Sequence, residues 1–129
     1  MIIDSSVVVA LAVREPLSQW ISTTLAGYPD EDLFMSWVNV AEASIAVARE
    51  SVQASEALEP TLVALGIELL DTDFSIVQVV TEARYRFPIN FGDCFAYAHA
   101  KLRNELLLTL DADFLKTDLE RVLHPKRRR

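Results

Sequence analysis

Short apolar runs bounded by polar or turn-forming residues recur along the chain and alternate with longer stretches of helical spacing. Apolar runs of about four to eight residues are typical of buried strands, whereas apolar residues three and four positions apart predict helices. We therefore predict four strands and a fifth edge strand, at residues 1–4, 33–36, 66–70, 106–110 and 121–123. Helices are predicted between them, at residues 7–13, 16–25, 38–50, 51–64, 73–86 and 93–103.

The order of these elements predicts the fold class. Strands that alternate with pairs of helices favour a central, mostly parallel sheet covered by helices on both faces, which is a three-layer α/β/α architecture. The length of 129 residues fits a single domain over residues 1–129, with a basic tail at residues 124–129 that we expect to fray. In open sheets of this kind, ligands bind outside the carboxyl ends of the strands.

Acidic residues fall where these elements approach that edge of the sheet. Asp4 ends the first strand, Glu42 lies in a predicted helix, Asp93 follows a Phe-Gly pair at a helix start, and Asp111 and Asp113 follow the fourth strand. Carboxylates gathered in one pocket repel each other unless a cation holds them, and a hard ion such as Mg²⁺ prefers oxygen ligands. The sequence therefore predicts an acidic magnesium site suited to phosphodiester hydrolysis by a metal-activated water.

Charge and composition limit the kinds of partner and the cellular compartment that we expect. The formal net charge is −7, but twelve acids face two bases up to Ser75, whereas the remainder carries seven acids and ten bases. Such asymmetry places a basic surface beside an acidic pocket, which is compatible with contact to a phosphate backbone. The single cysteine, Cys94, excludes an intramolecular disulfide. No apolar run approaches the roughly 20 residues of a membrane span, and no basic leader precedes the first strand, so we expect a cytoplasmic protein.

Other kinds of site fit the residues less well. His99 and His124 are the only histidines, so no zinc-type cluster is present, and three glycines provide no phosphate-binding loop. Two alternatives stay open: a magnesium-binding signalling domain of the receiver type, and a domain that binds RNA without cutting it. A receiver domain needs paired acids after the first strand, whereas here Ser5 and Ser6 follow Asp4.

The segments that carry the acids resemble the PIN domain family, and more narrowly the VapC toxins of type II toxin–antitoxin systems. They are Ile3-Asp4-Ser5-Ser6, Asn39-Val40-Ala41-Glu42, Asn90-Phe91-Gly92-Asp93-Cys94-Phe95 and Leu107-Leu108-Thr109-Leu110-Asp111-Ala112-Asp113-Phe114. The resemblance runs nearly end to end and implies an endoribonuclease that depends on Mg²⁺ or Mn²⁺. It also implies neutralisation by a cognate VapB antitoxin, a homodimer and a toxin–antitoxin hetero-oligomer, and structured RNA targets such as tRNA or ribosomal RNA.

The resemblance also assigns residues to the site. Three acids match those of the family site: Asp4, Glu42 and Asp93. Of these, Asp4 and Asp93 are expected to bind the ion most directly. The fourth acid stays open between Asp111, nearer the strand end, and Asp113, just before a phenylalanine. Ser6 matches a hydroxyl that supports the site by holding a water or a phosphate, while the residues that contact the RNA are not identified.

Overall fold

The computed structural model describes residues 1–127, which contain a five-stranded sheet whose strands are all parallel. The strands are β1 (Ile2–Ile3), β2 (Phe34–Ser36), β3 (Glu68–Leu70), β4 (Leu107–Leu108) and β5 (Val122–Leu123). Their spatial order is β3-β2-β1-β4-β5. In the register of the sheet, Ile2 pairs with Phe34 on one side and with Leu107 on the other. All five predicted strands are confirmed, together with the parallel architecture.

Helices connect the strands and cover both faces of the sheet. They are α1 (Ser5–Ala12), α2 (Ser18–Ala26), α3 (Trp37–Glu50), α4 (Val52–Ser55), α5 (Leu58–Ala64), α6 (Phe74–Arg86), α7 (Phe91–Arg103) and a 3-10 helix at Ala112–Lys116. Polar side chains cap the starts of α3, α6 and α7, where Ser36, Asp73 and Asn90 accept hydrogen bonds from first-turn amides. Among residues 1–127, no helix has the length and apolar character needed to cross a membrane.

Several helix ends differ from the sequence prediction by one or two residues, and two differences are informative. Residues 51–64 form two short helices rather than one, with a turn between them. Pro60 lies in the first turn of α5, where its missing N–H removes no intrahelical hydrogen bond. Helix α7 begins at Phe91, two residues before the predicted start, because the side chain of Asn90 caps it. Asp93 therefore lies inside the first turn of α7 rather than at its first position.

Alternate residues of the strands face two separate cores, one on each side of the sheet. The core shared with α6 and α7 contains Ile2, Phe34, Leu107 and Val122. The core shared with α1, α2 and α5 contains Ile3, Met35 and Leu108. Burial on both faces explains why the strands read as continuous apolar runs rather than as alternating patterns.

The first four residues of the predicted basic tail, 124–127, contact the body of the domain. His124 is buried, and its Nε2 lies 3.2 Å from the carbonyl oxygen of Leu110, while its Nδ1 accepts a hydrogen bond from the Lys126 amide. Arg127 donates to the carbonyl oxygen of Glu120 at 3.2 Å. These contacts hold the segment beside β5 through residue 127, and the last two residues of the predicted tail, 128–129, lie outside the described residues.

The strand order separates this fold from the receiver alternative. In receiver-type sheets the order is 2-1-3-4-5, so the first strand lies between the second and the third. Here β1 lies between β2 and β4, and β3 is at the edge beyond β2. The topology therefore excludes the receiver reading of the acidic pocket.

Candidate active site

The crevice between the carboxyl ends of β1 and β4 is the point where strand order reverses. The chain adds β2 and β3 on one side of β1, and it then crosses back to add β4 on the other side. Connections that leave such a point in opposite directions open a crevice, which is the usual ligand site of open parallel sheets. Asp4 follows β1 and residues 109–111 follow β4, so both segments line this crevice.

Asp4 is buried in the crevice and is held by two hydroxyl groups. It is 1% exposed, and its Oδ2 accepts hydrogen bonds from Ser6 Oγ at 2.6 Å and from Thr109 Oγ1 at 2.8 Å. Its Oδ1 is buried without a hydrogen-bond partner among the described residues. A buried carboxylate oxygen without a partner is costly. Its presence here points to a ligand that the described chain does not itself supply.

The same two hydroxyls join the ends of β1 and β4. Ser6 Oγ accepts a hydrogen bond from the Leu110 amide at 3.0 Å, and Thr109 Oγ1 accepts one from the Asp111 amide at 2.9 Å. Since a hydroxyl carries one proton, and each donates that proton to Asp4, both hydroxyls orient the carboxylate. Sequence reasoning identified Ser6 but missed Thr109, although a polar residue within the apolar run of the fourth strand marked the position.

Asp93 reaches the crevice from the first turn of α7. The Asp93 amide donates to Asn90 Oδ1 at 2.8 Å, and the residue is 4% exposed. The pKa of Asp93 is raised to about 8, first by burial and then by the charges of Asp4, Asp111 and Glu42. The pKa of Asp4 is also raised, chiefly by burial, although its two hydroxyl partners act in the opposite direction. These four acids come from four different segments and form one electrostatic group.

Asp111 and Asp113 lie in different environments although they are two residues apart. Asp111 Oδ1 accepts a hydrogen bond from the Asp113 amide at 2.9 Å and so caps the 3-10 helix. The charge of Asp111 acts on both Asp4 and Asp93. The side chain of Asp113 is 47% exposed and pairs with Lys116 at 3.3 Å. The structure thus brings Asp111 to the acidic group and leaves Asp113 at the surface.

Glu42 approaches the group from α3. Its Oε1 accepts a hydrogen bond from Asn39 Nδ2 at 2.8 Å, and the same amide nitrogen donates to the carbonyl oxygen of Gly92 at 2.9 Å. Asn39 is fully buried, and it therefore joins α3 to the first turn of α7. Asn39 belongs to a segment that the sequence singled out, but its contact with Glu42 was not predicted.

The acidic group has the chemistry of a divalent-cation site. In residues 1–127, no Lys or Arg forms an ion pair with Asp4, Glu42, Asp93 or Asp111, so the protein leaves these charges unbalanced. In the same part of the chain, no three His, Cys, Asp or Glu side chains form a ready-made ligand cluster. Mg²⁺ needs only one or two direct carboxylates because it retains several waters. The unpartnered Oδ1 of Asp4 and the raised pKa of Asp93 fit such an ion.

Other conspicuous groups lie away from the acids. One cavity of about 340 Å³ lies beside β5 against Trp20, and another of about 370 Å³ lies between α3 and α5 against Trp37. Neither cavity is lined by any of the four grouped acids. His99 is buried within α7, and burial, followed by the charge of Arg103, lowers its pKa. The acidic crevice is thus distinct from these features.

Comparisons with known proteins establish the family. The PIN domain family model matches residues 1–120. Ribonuclease VapC36 from Mycobacterium tuberculosis is 34% identical to the chain, over 93% of this chain and 91% of the relative. Ribonuclease VapC from Mycolicibacterium smegmatis is 28% identical, over 95% of this chain and 99% of the relative. The chain belongs to the PIN domain family and, within it, to the VapC group.

Solved structures share the fold. VapC20 from Mycobacterium tuberculosis, described as a toxin that cleaves the sarcin–ricin loop, matches with a TM-score of 0.74 at 14% identity, over 88% of this chain and 92% of that chain. VapBC2 from Rickettsia felis, solved bound to a DNA fragment from its promoter, matches with a TM-score of 0.69 at 18% identity, over 95% and 96%. At these identities the likeness concerns the fold.

The raised pKa of Asp93 predicts a pH-dependent stability difference in the metal-free protein. A carboxyl group whose folded-state pKa, about 8, lies above its ordinary value of 3.8 costs stability as the pH rises through that interval. Asp93→Asn removes this cost. In chelator at pH 8, the variant should therefore melt at least about 5 °C above the parent, since roughly 1 kcal/mol moves the Tm of such a domain by several degrees.

The pH dependence of this difference in Tm is the decisive part of the measurement. At pH 5 the parent Asp93 is largely protonated in the folded state, so the gap should shrink. Asp30→Asn, at an exposed loop position, is the matched control and should follow the parent at both pH values. A gap of equal size at pH 5 and pH 8, or a less stable Asp93→Asn at pH 8, would contradict the assigned charge repulsion.

Proposed function

We propose that this PIN domain protein is a metal-dependent endoribonuclease and the toxin of a toxin–antitoxin pair. The observation that carries the proposal is the Asp4 carboxylate, fixed by two hydroxyls at the switch point with one oxygen left unpartnered among three further acids. The relative that is 34% identical over most of the chain is named a ribonuclease. According to this proposal, the protein is a single domain that acts in the cytoplasm.

The ion at the site is Mg²⁺, with Mn²⁺ as its substitute. Asp4 and Asp93 would hold it directly, whereas Glu42 and Asp111 would hold its waters. When bound, the metal polarises the phosphoryl group, lowers the pKa of a bound water and offsets the charge of the transition state. This division of roles follows burial, because the two most buried acids, Asp4 and Asp93, lose the most hydration and gain the most from direct contact with a cation.

The protein side chains contribute orientation. Ser6 and Thr109 hold one oxygen of Asp4, which leaves the other without a hydrogen-bond partner among the described residues. Asp93 lies in the first turn of α7, where the partial positive charge of a helix N-terminus favours anionic groups, including a substrate phosphate. Such fixed geometry supplies much of the rate of an in-line displacement, because the attacking water and the phosphate need little reorganisation.

Two observations support Asp111 as the fourth acid of the proposed site. Asp111 is coupled electrostatically to Asp4 and Asp93, whereas Asp113 is already paired with Lys116. We therefore assign Asp111 to the site. The exposed pair of Lys116 and Asp113 has no assigned role in the reaction.

The partners follow the family pattern. We expect a cognate VapB-type antitoxin that neutralises the nuclease, a homodimer of the toxin and a hetero-oligomer of the two proteins. The Rickettsia felis relative is named as a VapBC pair bound to promoter DNA. For the substrate we expect a structured RNA such as tRNA or ribosomal RNA, since the M. tuberculosis VapC20 structure is described as a toxin that cleaves the sarcin–ricin loop.

Substitution of single acids tests the site in vitro. With Mg²⁺ and a pool of structured RNAs, Asp4→Asn, Asp93→Asn and Asp111→Asn should each lower the cleavage rate about 100-fold or more, because each removes charge that organises the ion. Asp113→Asn should stay within about 3-fold of the parent, as expected for an exposed ion pair. Cleavage is measured on end-labelled RNA by gel electrophoresis, with Asp30→Asn and a chelator lane as controls.

The outcomes of this assay separate the alternatives. An active Asp4→Asn would overturn the metal site, and an inactive Asp113→Asn beside an active Asp111→Asn would reverse the assignment of the fourth acid. A parent that binds RNA without cutting it, across several divalent ions, would support the non-cleaving RNA-binding domain instead.

Growth of cells that express the protein tests the toxin role. Induced expression of the parent should arrest growth, because the nuclease attacks cellular RNA. The variant Asp4→Asn at the same expression level should not arrest growth, and co-expression of the expected VapB-type antitoxin should relieve the arrest by the parent. Colony counts and optical density report both effects. Normal growth with abundant folded parent protein would contradict the toxin role.

A further inference from the structure

Gly92 lies immediately before Asp93, but its backbone does not require glycine. It is the second residue of α7, and its φ is not among the positive φ values of the described residues, which occur at Arg14, Gly66 and Asn104. A helical position with ordinary dihedrals favours alanine over glycine. The backbone conformation therefore does not explain the glycine, which needs another explanation.

The space next to Gly92 is occupied by the carboxylate of Glu42. A Cβ atom built on Gly92 would overlap both carboxylate oxygens and the Cδ of Glu42, and these are the three nearest atoms that it would meet. Gly92 is itself buried. The missing side chain of Gly92 thus creates the room in which the end of the Glu42 side chain lies.

Asn39 forms a second wall of this space. Its Nδ2 donates to Glu42 Oε1 at 2.8 Å and to the carbonyl oxygen of Gly92 at 2.9 Å. The side-chain Oδ1 of Asn39 accepts a hydrogen bond from Ser36 Oγ at 2.7 Å. The backbone amide of Asn39 donates to the same hydroxyl at 3.1 Å. The Gly92 carbonyl oxygen and the Glu42 carboxylate can only accept, so they fix which end of the Asn39 side-chain amide carries the donors, and its two protons point at them.

The two walls come from different parts of the chain. Asn39 and Glu42 are three residues apart, on one face of α3, whereas Gly92 belongs to α7. Glu42 has a flexible side chain, and fixing it in a solvent-accessible crevice costs rotamer entropy. The buried hydrogen bond on one side and the absent Cβ on the other restrict it before any ligand binds.

We infer that Asn39 and Gly92 are positioning residues that form a slot for the Glu42 carboxylate and aim it at the acidic crevice. The role of the aimed carboxylate in RNA cleavage rests on the proposed function, whereas the slot itself is a property of the metal-free protein. The space taken by the Glu42 carboxylate, and not the backbone conformation, thus explains why position 92 is a glycine.

Gly92→Ala is the sharpest test, because it removes no chemical group from the site. Since the obstructed atoms are the far end of a flexible side chain, Glu42 can swing away and the protein should fold with a Tm at or above that of the parent. RNA cleavage should fall about 100-fold, as expected when a reacting or orienting group is displaced by about 1 Å. The matched control is Gly27→Ala, at the end of α2, which should retain parent activity.

A double-variant comparison separates positioning from a general effect on the fold. If Gly92→Ala acts by displacing Glu42, it should add less than about 3-fold to the loss already caused by Glu42→Gln. Multiplicative losses in the combined variant would overturn the slot, as would a Gly92→Ala that cleaves like the parent while Glu42→Gln does not.

Nuclear magnetic resonance of the metal-free protein tests the slot without any activity measurement. In the parent, the side-chain amide protons of Asn39 should exchange slowly with solvent, because both are hydrogen-bonded in a buried site. In Gly92→Ala and in Glu42→Ala, the proton directed at Glu42 should lose its protection and shift, while Gly27→Ala leaves it unchanged. Rapid exchange of both protons in the parent would overturn the slot. An inert parent with these protons protected would instead refute the proposed function and leave the slot supported.

Discussion

The site depends on a single constraint: four carboxylates whose charges act on one another must be held at one crevice without an ion pair to a basic side chain of the described residues. The link between β1 and β4 makes this possible. The hydroxyls of Ser6 and Thr109 donate hydrogen bonds to one oxygen of Asp4. Each hydroxyl also accepts a hydrogen bond from a backbone amide in the segment after β4. The carboxylate is fixed by neutral donors rather than by a cation of the protein, so its charge stays available for an ion from solution.

Gathering these acids lowers the stability of the folded state, and the rest of the fold offsets this loss. Burial and mutual repulsion raise the pKa of both Asp4 and Asp93, so the folded state resists the ionised form that a cation needs. Two apolar cores, one on each face of a parallel sheet, provide the stability that tolerates this strain. Function and stability therefore oppose each other in the crevice, and a bound divalent ion is what reconciles them.

Much of the fold could be predicted from the sequence because its strands are buried on both faces and read as continuous apolar runs. The positions of Asp4, Glu42 and Asp93 at one edge of the sheet followed from the same pattern. The choice between Asp111 and Asp113 could not be made, because it depends on which way the 3-10 helix turns and on the ion pair with Lys116. The contact between His124 and Leu110 was not predicted either, since it depends on how the chain after β5 packs against the segment after β4.

Positioning contacts were the least predictable part of the site. Thr109 is a single polar residue in an apolar run of the sequence, and its role appears only when β1 and β4 are adjacent. Asn39 and Gly92 are far apart in the chain, and their relation to Glu42 requires the packing of α3 against α7. A sequence pattern shows which residue types are present on an element, but it does not show which groups meet across elements.

Anomalous diffraction from crystals soaked in Mn²⁺ tests the central claim most directly. We predict an anomalous peak in the crevice between β1 and β4, about 2.1 Å from Asp4 Oδ1, with Asp93 as its second protein ligand and Glu42 and Asp111 contacting its waters. A crevice without a peak at saturating Mn²⁺, or an ion bound by Asp113 and not by Asp4, would contradict the account.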